Sequence, residues 1–385
     1  MKRFLQCVGL CIFVNAAQAQ DIHILYAEQK VDRLPTLSGL RPIPDDLGLQ
    51  GATRAVVENN TTGKMVGQNF VLDLVIAKVG ESLADKIKPA LKDHDLVVIN
   101  APSRDLLAVA DLAEAKGAIL FNVSAADDNL REEQCRSNVL HILPSTNMLT
   151  DGLAQFFVKK QWQKWALVSG STDADKAYAA DLEKSAAKFG VTIVSKKEFA
   201  GDVDLRESAA DEVPLLTQDA QHDAVIVADV ADDFGSQIAY NTYYPRPVAG
   251  THGLIPTMWN EIVEPWGAVQ LQNAFVKQAG RGMRDVDFAA YLATRIVGEA
   301  ATRTKANDAA TLRKYIMDPK FQMQAYKGRG VSFRDWNGQL RQPIHLVTKD
   351  SQVAMAPVEG FLREGNELDT LGPDKQETIC KNFKP

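Results

Sequence analysis

Cysteine is scarce in this sequence, four in 385 residues, and aromatic residues make up only 7%. Four cysteines spread over such a length give neither the dense framework of a small disulfide-stapled domain nor the paired spacing of a zinc finger. The six histidines, His23, His94, His141, His222, His252 and His345, are scattered singly and read as structural or surface residues. No G-x-S-x-G, H-E-x-x-H or G-x-x-x-x-G-K-[ST] pattern occurs, so the local signatures of a serine hydrolase, a zinc peptidase and a P-loop enzyme are missing. The chain therefore reads as no enzyme, with no metal and no cofactor required for catalysis. After the first segment no uncharged apolar run approaches the ~20 residues of a membrane-spanning helix. Basic residues are outnumbered, 43 Lys+Arg against 49 Asp+Glu, and the net charge of −6 argues against non-specific nucleic-acid binding.

What is present begins at the N-terminus. Lys2 and Arg3 form a basic start, Phe4 to Ala16 is mostly apolar, and Ala17-Gln18-Ala19 supplies the small residues of a signal-peptidase site. Residues 1–19 are expected to be a signal peptide, the mature chain to begin at Gln20, and the protein to reside in the periplasm. Cys11 follows Val8-Gly9-Leu10, a poor lipobox because Leu10 is large, so no lipid anchor is expected. Removing residues 1–19 deletes two basic residues and no acidic one, which moves the net charge from −6 to −8. The 366 residues that remain exceed what one core supports, and two domains are expected. Cys135 and Cys380 are the cysteines left after processing. In an oxidising compartment such a pair favours a bridge over two separately buried thiols.

β-rich runs alternate with amphipathic helical patterns. DIHILYA (21–27) predicts a strand, 47–60 a helix, 70–79 a strand, 82–92 a helix, DLVVIN (95–100) a buried strand, 106–117 a helix capped by Gly117, and 118–124 a strand. The cadence restarts with WALVSG (165–170), a helix over 174–189 stopped at Gly190, and strands at 191–199 and 223–229. Such βαβα rhythm implies parallel sheets covered by helices. The segment 140–160 between the two units is the natural hinge. Residues 285–304 form the strongest helix, with an apolar stripe of Phe288, Tyr291, Leu292, Ile296 and Val297. Residues 331–347 read as a hairpin turning at Asn337-Gly338. The expected architecture is α/β, two doubly wound parallel-sheet lobes joined by crossing segments. One lobe takes residues 20–141 plus 260–340, the other 142–259 plus 341–385.

The ordered set of motifs resembles the type I periplasmic solute-binding proteins, the leucine/isoleucine/valine-binding class of ABC-transporter receptors. The residues that carry it are LGLQGATRAVVENN (47–60), VVINAPSRDLLAVADLAEAKGAILFNVSAADDNLR (97–131), HILPST (141–146), the run from Trp165 to Asp229, and AAYLATRIVGEA (289–300). Three further segments, 228–259, 266–275 and 325–344, are similar to a subgroup of substrate-binding components linked to PQQ-dependent alcohol dehydrogenases. The resemblance implies a ligand-binding component that closes around a small molecule and delivers it to a permease in the inner membrane, working as a monomer. The alternatives are a receptor of the same fold for an amino acid or an alcohol or acid metabolite, and a sensor that presents its ligand to a membrane or dehydrogenase partner. 

Ligands of open doubly wound sheets sit beyond the carboxyl ends of the strands. Ser103 and Arg104 follow strand 95–100 and open a helix, and Ser124 and Ala125 follow the next strand; the resemblance assigns both pairs to the ligand. Tyr291 matches the aromatic of the family's AAY motif, although its stripe position also suits a core residue. In the second lobe STDADKAY (171–178) departs from the family's YG loop, and THGLIP (251–256) stands where an acidic residue usually holds an amino-acid ammonium. These departures favour a flat anion such as pyrroloquinoline quinone over an aliphatic amino acid. Arg104, Lys176, Arg246 and Arg334 would then supply cations, Trp259 and Trp336 stacking surfaces, and Tyr178 a further contact, with Lys176 adding reversibly to the quinone carbonyl.

Overall fold

The computed structural model describes residues 20–32, 42–199, 205–218, 221–361 and 365–385, with the side chains of 205–210 left aside; residues 1–19, expected to be a signal peptide, and with them Cys11, lie outside the described residues. Two parallel sheets organise the chain. The first carries β1 (Gln20–Gln29), β2 (Gln68–Ala77), β3 (Leu96–Asn100), β4 (Ile119–Asn122) and β5 (Val139–His141) in the order β2-β1-β3-β4-β5. The second carries β6 (Lys164–Ser169), β7 (Thr192–Glu198), β8 (Ala224–Ala228) and β9 (Val248–Gly250) in the order β7-β6-β8-β9. β3 and β8 are buried along almost their whole length, which is why they read as unbroken apolar runs.

Helices cover both faces. α1 (Leu49–Val66), α2 (Leu83–Ile87) and α3 (Ser103–Ala110) connect the strands of the first sheet, and α4 (Thr146–Lys159) leads into the second lobe. There α5 (Asp173–Phe189), α6 (Leu205–Leu216) and α7 (Gly235–Asn241) connect β6 to β9. The chain then returns to the first lobe as α8 (Ala268–Ala279), α9 (Asp285–Thr304) and α10 (Ala309–Ile316). The core of the first sheet's inner face is completed by Phe275, Phe288, Ile296 and Leu312 from these late helices. α1 and α9 run side by side, and Gly51 is required there because a Cβ would come within 1.8 Å of the Asp287 carbonyl oxygen.

The α9 boundaries match the sequence pattern, and its apolar stripe is buried. The helix over 106–117 does not form as expected. α3 begins at Ser103 and gives way to a 3-10 turn at Ala113–Ala115, because Asp111 and Leu112 leave the helix before Gly117 is reached. The expected 331–347 hairpin also divides. β12 (Gly330–Phe333) pairs with β13 (Leu340–Arg341) and with β11 (Met323–Gln324), whereas β14 (Ile344–Val347) joins β10 (Ile255–Thr257) and β15 (Gln352–Ala356) in a separate antiparallel sheet against α4.

Three crossings link the lobes, at residues 142–145, 257–260 and 341–343, and buried amides lace them together. Gln339 Nε2 donates to the carbonyls of His141 and Leu143, both at 3.2 Å, and Gln342 Nε2 donates to Ile142 O at 2.7 Å. The Arg131 guanidinium reaches Leu143 O at 2.8 Å and Gln339 Oε1 at 2.8 Å. Buried donors and acceptors that satisfy one another in this way fix the crossing geometry. Cys135 is bonded to Cys380 with a Cα separation of 5.8 Å, which pins the C-terminal tail to the first lobe.

Candidate functional site

Chain direction sets where a ligand can go. β5 ends at the junction and feeds α4, whose Ser145 cap accepts the Met148 N–H. α4 runs away from the junction and β6 runs back, so the carboxyl ends of β6, β8 and β9 point toward the first lobe. The carboxyl ends of β1, β3 and β4 point toward the second. Two loop-bearing edges therefore face one another across the crossings, the arrangement expected to hold small molecules.

On the first lobe, Ser103 stands at the start of α3 with its hydroxyl donating to Asp127. Arg104 beside it is 90% exposed and makes only a 3.5 Å contact with Asp105. Arg104 and Lys30 line a depression of about 540 Å³ at this edge together with Asp32, Glu81 and Asp105, and Lys30 donates to Glu28 at 2.7 Å. Ser124 and Ala125 are occupied differently from the sequence reading. The Ser124 hydroxyl accepts from Ala101 N at 2.9 Å and donates to Ala101 O at 3.1 Å, stapling the ends of β3 and β4. Ala125 N donates to Asn122 Oδ1 at 2.9 Å, and its carbonyl takes the Arg131 guanidinium at 2.8 Å.

On the second lobe the edge is acidic. Asp175 is fully buried and its two oxygens accept from Thr172 N at 3.0 Å, Thr172 Oγ at 2.6 Å, Val230 N at 2.6 Å and Ala231 N at 3.2 Å. Asp229 accepts from the backbone of Asp233, Phe234 and Gly235 at the start of α7. Asp232, held at φ 60°, faces His252 with Oδ1 2.8 Å from Nε2. Burial, followed by the charges of Asp229, Asp175 and Asp232, pushes the Asp233 carboxyl above its ordinary range. Lys176 is half-exposed on the first turn of α5 and lies 3.8 Å from Glu198. In this structure the ammonium is exposed and ion-paired, without the burial that lowers a lysine pKa for addition to a carbonyl.

The remaining expected residues do not gather at these edges. Tyr178 packs against the second-lobe core, and burial raises its hydroxyl pKa. Arg246 is exposed on the loop before β9, at the amino end of the sheet and away from the junction. Tyr291 is buried within the first lobe, donating to Glu58 at 2.5 Å, and lines a separate cavity of about 400 Å³ with Trp266, Arg295 and Tyr326. Arg334 is consumed at the junction, donating to the carbonyls of Leu368 at 3.0 Å and Leu371 at 2.6 Å and to Asp369 at 3.1 Å; burial lowers its pKa to about 10. The Trp336 ring centroid lies 5.3 Å from the Arg334 guanidinium and 5.1 Å from that of Arg341. Trp259 stacks on Phe288 at 4.2 Å beside the second crossing, and its backbone N–H donates to Asp285 at 2.6 Å. Trp259 also borders a cavity of about 980 Å³, together with Leu47, Arg281 and Asp285.

Sequence reasoning passed over Asp229, Asp232, Asp233 and His252. The available signal was an acidic run directly after the buried strand DAVIVA, but β9 has three residues and too short a pattern to show that Thr251-His252 also follows a strand.

Residues 77–240 match the family model described as periplasmic binding protein. None of the curated proteins matches the sequence. Among solved structures, a periplasmic binding protein from Burkholderia mallei superposes with a TM-score of 0.64 at 16% identity, over 96% of this chain and 100% of that one. A branched chain amino acid ABC transporter periplasmic ligand-binding protein from Burkholderia xenovorans gives 0.67 at 15% identity, over 94% and 99%. An ABC transporter substrate-binding protein from Desulfitobacterium hafniense in complex with Leu gives 0.62 at 18% identity, over 86% and 98%. Taken with the paired parallel sheets and their facing edges, these likenesses show that the chain has the two-lobed type I periplasmic binding fold.

Proposed function

We propose that this protein is the periplasmic ligand-binding component of an ABC transporter, and that its ligand is a small zwitterion of the amino-acid class. The observation that carries the ligand class is an exposed guanidinium on one facing edge and a carboxylate on the other. Arg104 presents an exposed guanidinium on the first lobe, while Asp232 presents a carboxylate on the second. A carboxylate and an ammonium on one small molecule complement both edges, and closure would remove them from water, where each charge-assisted hydrogen bond gains strength. The names of the similar structures, which include a Leu complex, agree with this class. Capture in the periplasm implies an inner-membrane permease that recognises the closed form.

Pyrroloquinoline quinone is the second reading. The resemblance to the dehydrogenase-linked subgroup motivates it, and Arg104 and Lys176 are exposed cations on facing edges. Against it stand the acidic second-lobe edge and the engagement of Arg334, Trp259 and Trp336 elsewhere. Isothermal titration of ligand-free protein with a panel of amino acids and with the quinone separates the two. We expect an amino acid to bind, with Arg104→Ala and Asp232→Asn each weakening it roughly 10- to 100-fold, the loss of one charge-assisted hydrogen bond. Quinone binding with no response to any amino acid would overturn the zwitterion reading.

A further inference from the structure

The first sheet brings together two histidines and an aspartate that the ligand cleft does not use. His23 on β1 places Nδ1 2.8 Å from Asp73 Oδ2 on β2, and His94, just before β3, places Nε2 3.0 Å from the same oxygen. The two imidazole rings meet edge to face at 5.9 Å. The ligand atoms of all three residues lie within 4.8 Å of one another. His23 is six residues before the end of β1, about 20 Å along the strand from the cleft edge.

Hydrogen bonding fixes how one of these rings is used. His94 Nδ1 lies 2.9 Å from the Ala90 carbonyl oxygen, which only an N–H can satisfy. In the neutral ring Nε2 then carries a lone pair, and that lone pair faces the Asp73 carboxylate. Two acceptors at 3.0 Å need a cation between them, either a second proton or a metal ion. A backbone carbonyl holding Nδ1–H while Nε2 is free is also the outer support that ligating histidines commonly have.

We propose that His23, Asp73 and His94 form a binding site for a divalent first-row transition metal of the zinc class, with three protein ligands and a coordination position left for water. Imidazole and carboxylate donors suit Zn²⁺, and tetrahedral bonds of about 2.0–2.2 Å separate neighbouring donor atoms by about 3.3 Å, a few tenths of an ångström wider than the present pairs. His23 and Asp73 have side-chain exposures of 46% and 37%, so an ion can enter from solvent. The bound ion would clamp β1 and β2 to the 3-10 turn Ala90–Lys92 that precedes β3. The other grouping of this kind, Asp229, Asp232 and His252, is less available, because Asp229 accepts three backbone N–H groups.

The test is a Zn²⁺ titration of untagged full-length mature protein against a chromophoric chelator, with zinc-edge X-ray absorption on the loaded protein. We expect one equivalent bound through nitrogen and oxygen ligands at about 2.0–2.2 Å. His23→Ala and His94→Ala should each weaken binding at least about tenfold with an unchanged far-ultraviolet spectrum, and His252→Ala should bind as the parent does. If a histidine variant misfolds, Asp73→Asn provides the same reading from the opposite side of the site. Absence of stoichiometric Zn²⁺ binding, or undiminished binding in the two histidine variants, would overturn the proposal.

Discussion

The Asp175 carboxylate touches the loops after β6 and β8 at once, accepting from Thr172 on one oxygen and from Val230 and Ala231 on the other. It shapes the second-lobe edge without needing to meet a ligand. Asp175→Ala would strand these buried donors, and we expect urea unfolding to show a loss of about 3 kcal/mol, with ligand affinity falling as the loops lose their brace. A loss below about 1 kcal/mol would mean that water replaces the carboxylate. At this scale the sequence was least legible. Residue type and position after a strand point to Ser103, Arg104 and Lys176 as residues of the facing edges. They cannot tell that Ser124 is spent on Ala101, or that Arg334 is folded into a carbonyl-lined pocket, because these partners come from other segments. The pairing of His23 with Asp73 is hidden for the same reason, since strand pairing joins residues 50 positions apart.

Elements were more legible where the pattern was long. α9, with 20 residues and its apolar stripe, and α5, with its Thr172 capping box and Gly190 in the left-handed region, follow directly from local chemistry. β10, β14 and β15 do not, because strands of three to five residues in an antiparallel sheet are set by tertiary pairing with α4 rather than by their own periodicity. The disulfide belongs to this scale too, because it ties the tail to the segment before β5 across a separation of 245 residues. Closing so long a loop restricts the unfolded chain, by about 5 kcal/mol on the chain-entropy account. The double variant Cys135→Ser/Cys380→Ser should therefore unfold at lower urea concentration than the parent. An equal midpoint would place the bridge's contribution near zero.

For the whole molecule, the doubled βαβ cadence carried the fold, and the parallel strands and facing edges follow from it. What the cadence could not supply was the character of the cleft. A flat anionic ligand was expected from the departures at 171–178 and 251–256, yet the cations named for it lie apart in the folded chain and Asp232 stands on the second-lobe edge. The amide-laced crossings connect two bodies that each have their own core, an arrangement suited to rigid closure about a few residues. A ligand that touches both edges would shift the population toward the closed form in proportion to its preference for that form. Small-angle X-ray scattering of the ligand-free protein, repeated at saturation with the amino acid that binds tightest, tests this most directly. The account predicts a smaller radius of gyration on saturation, abolished in Asp232→Asn at the same amino-acid concentration; saturable binding with an unchanged radius would contradict it.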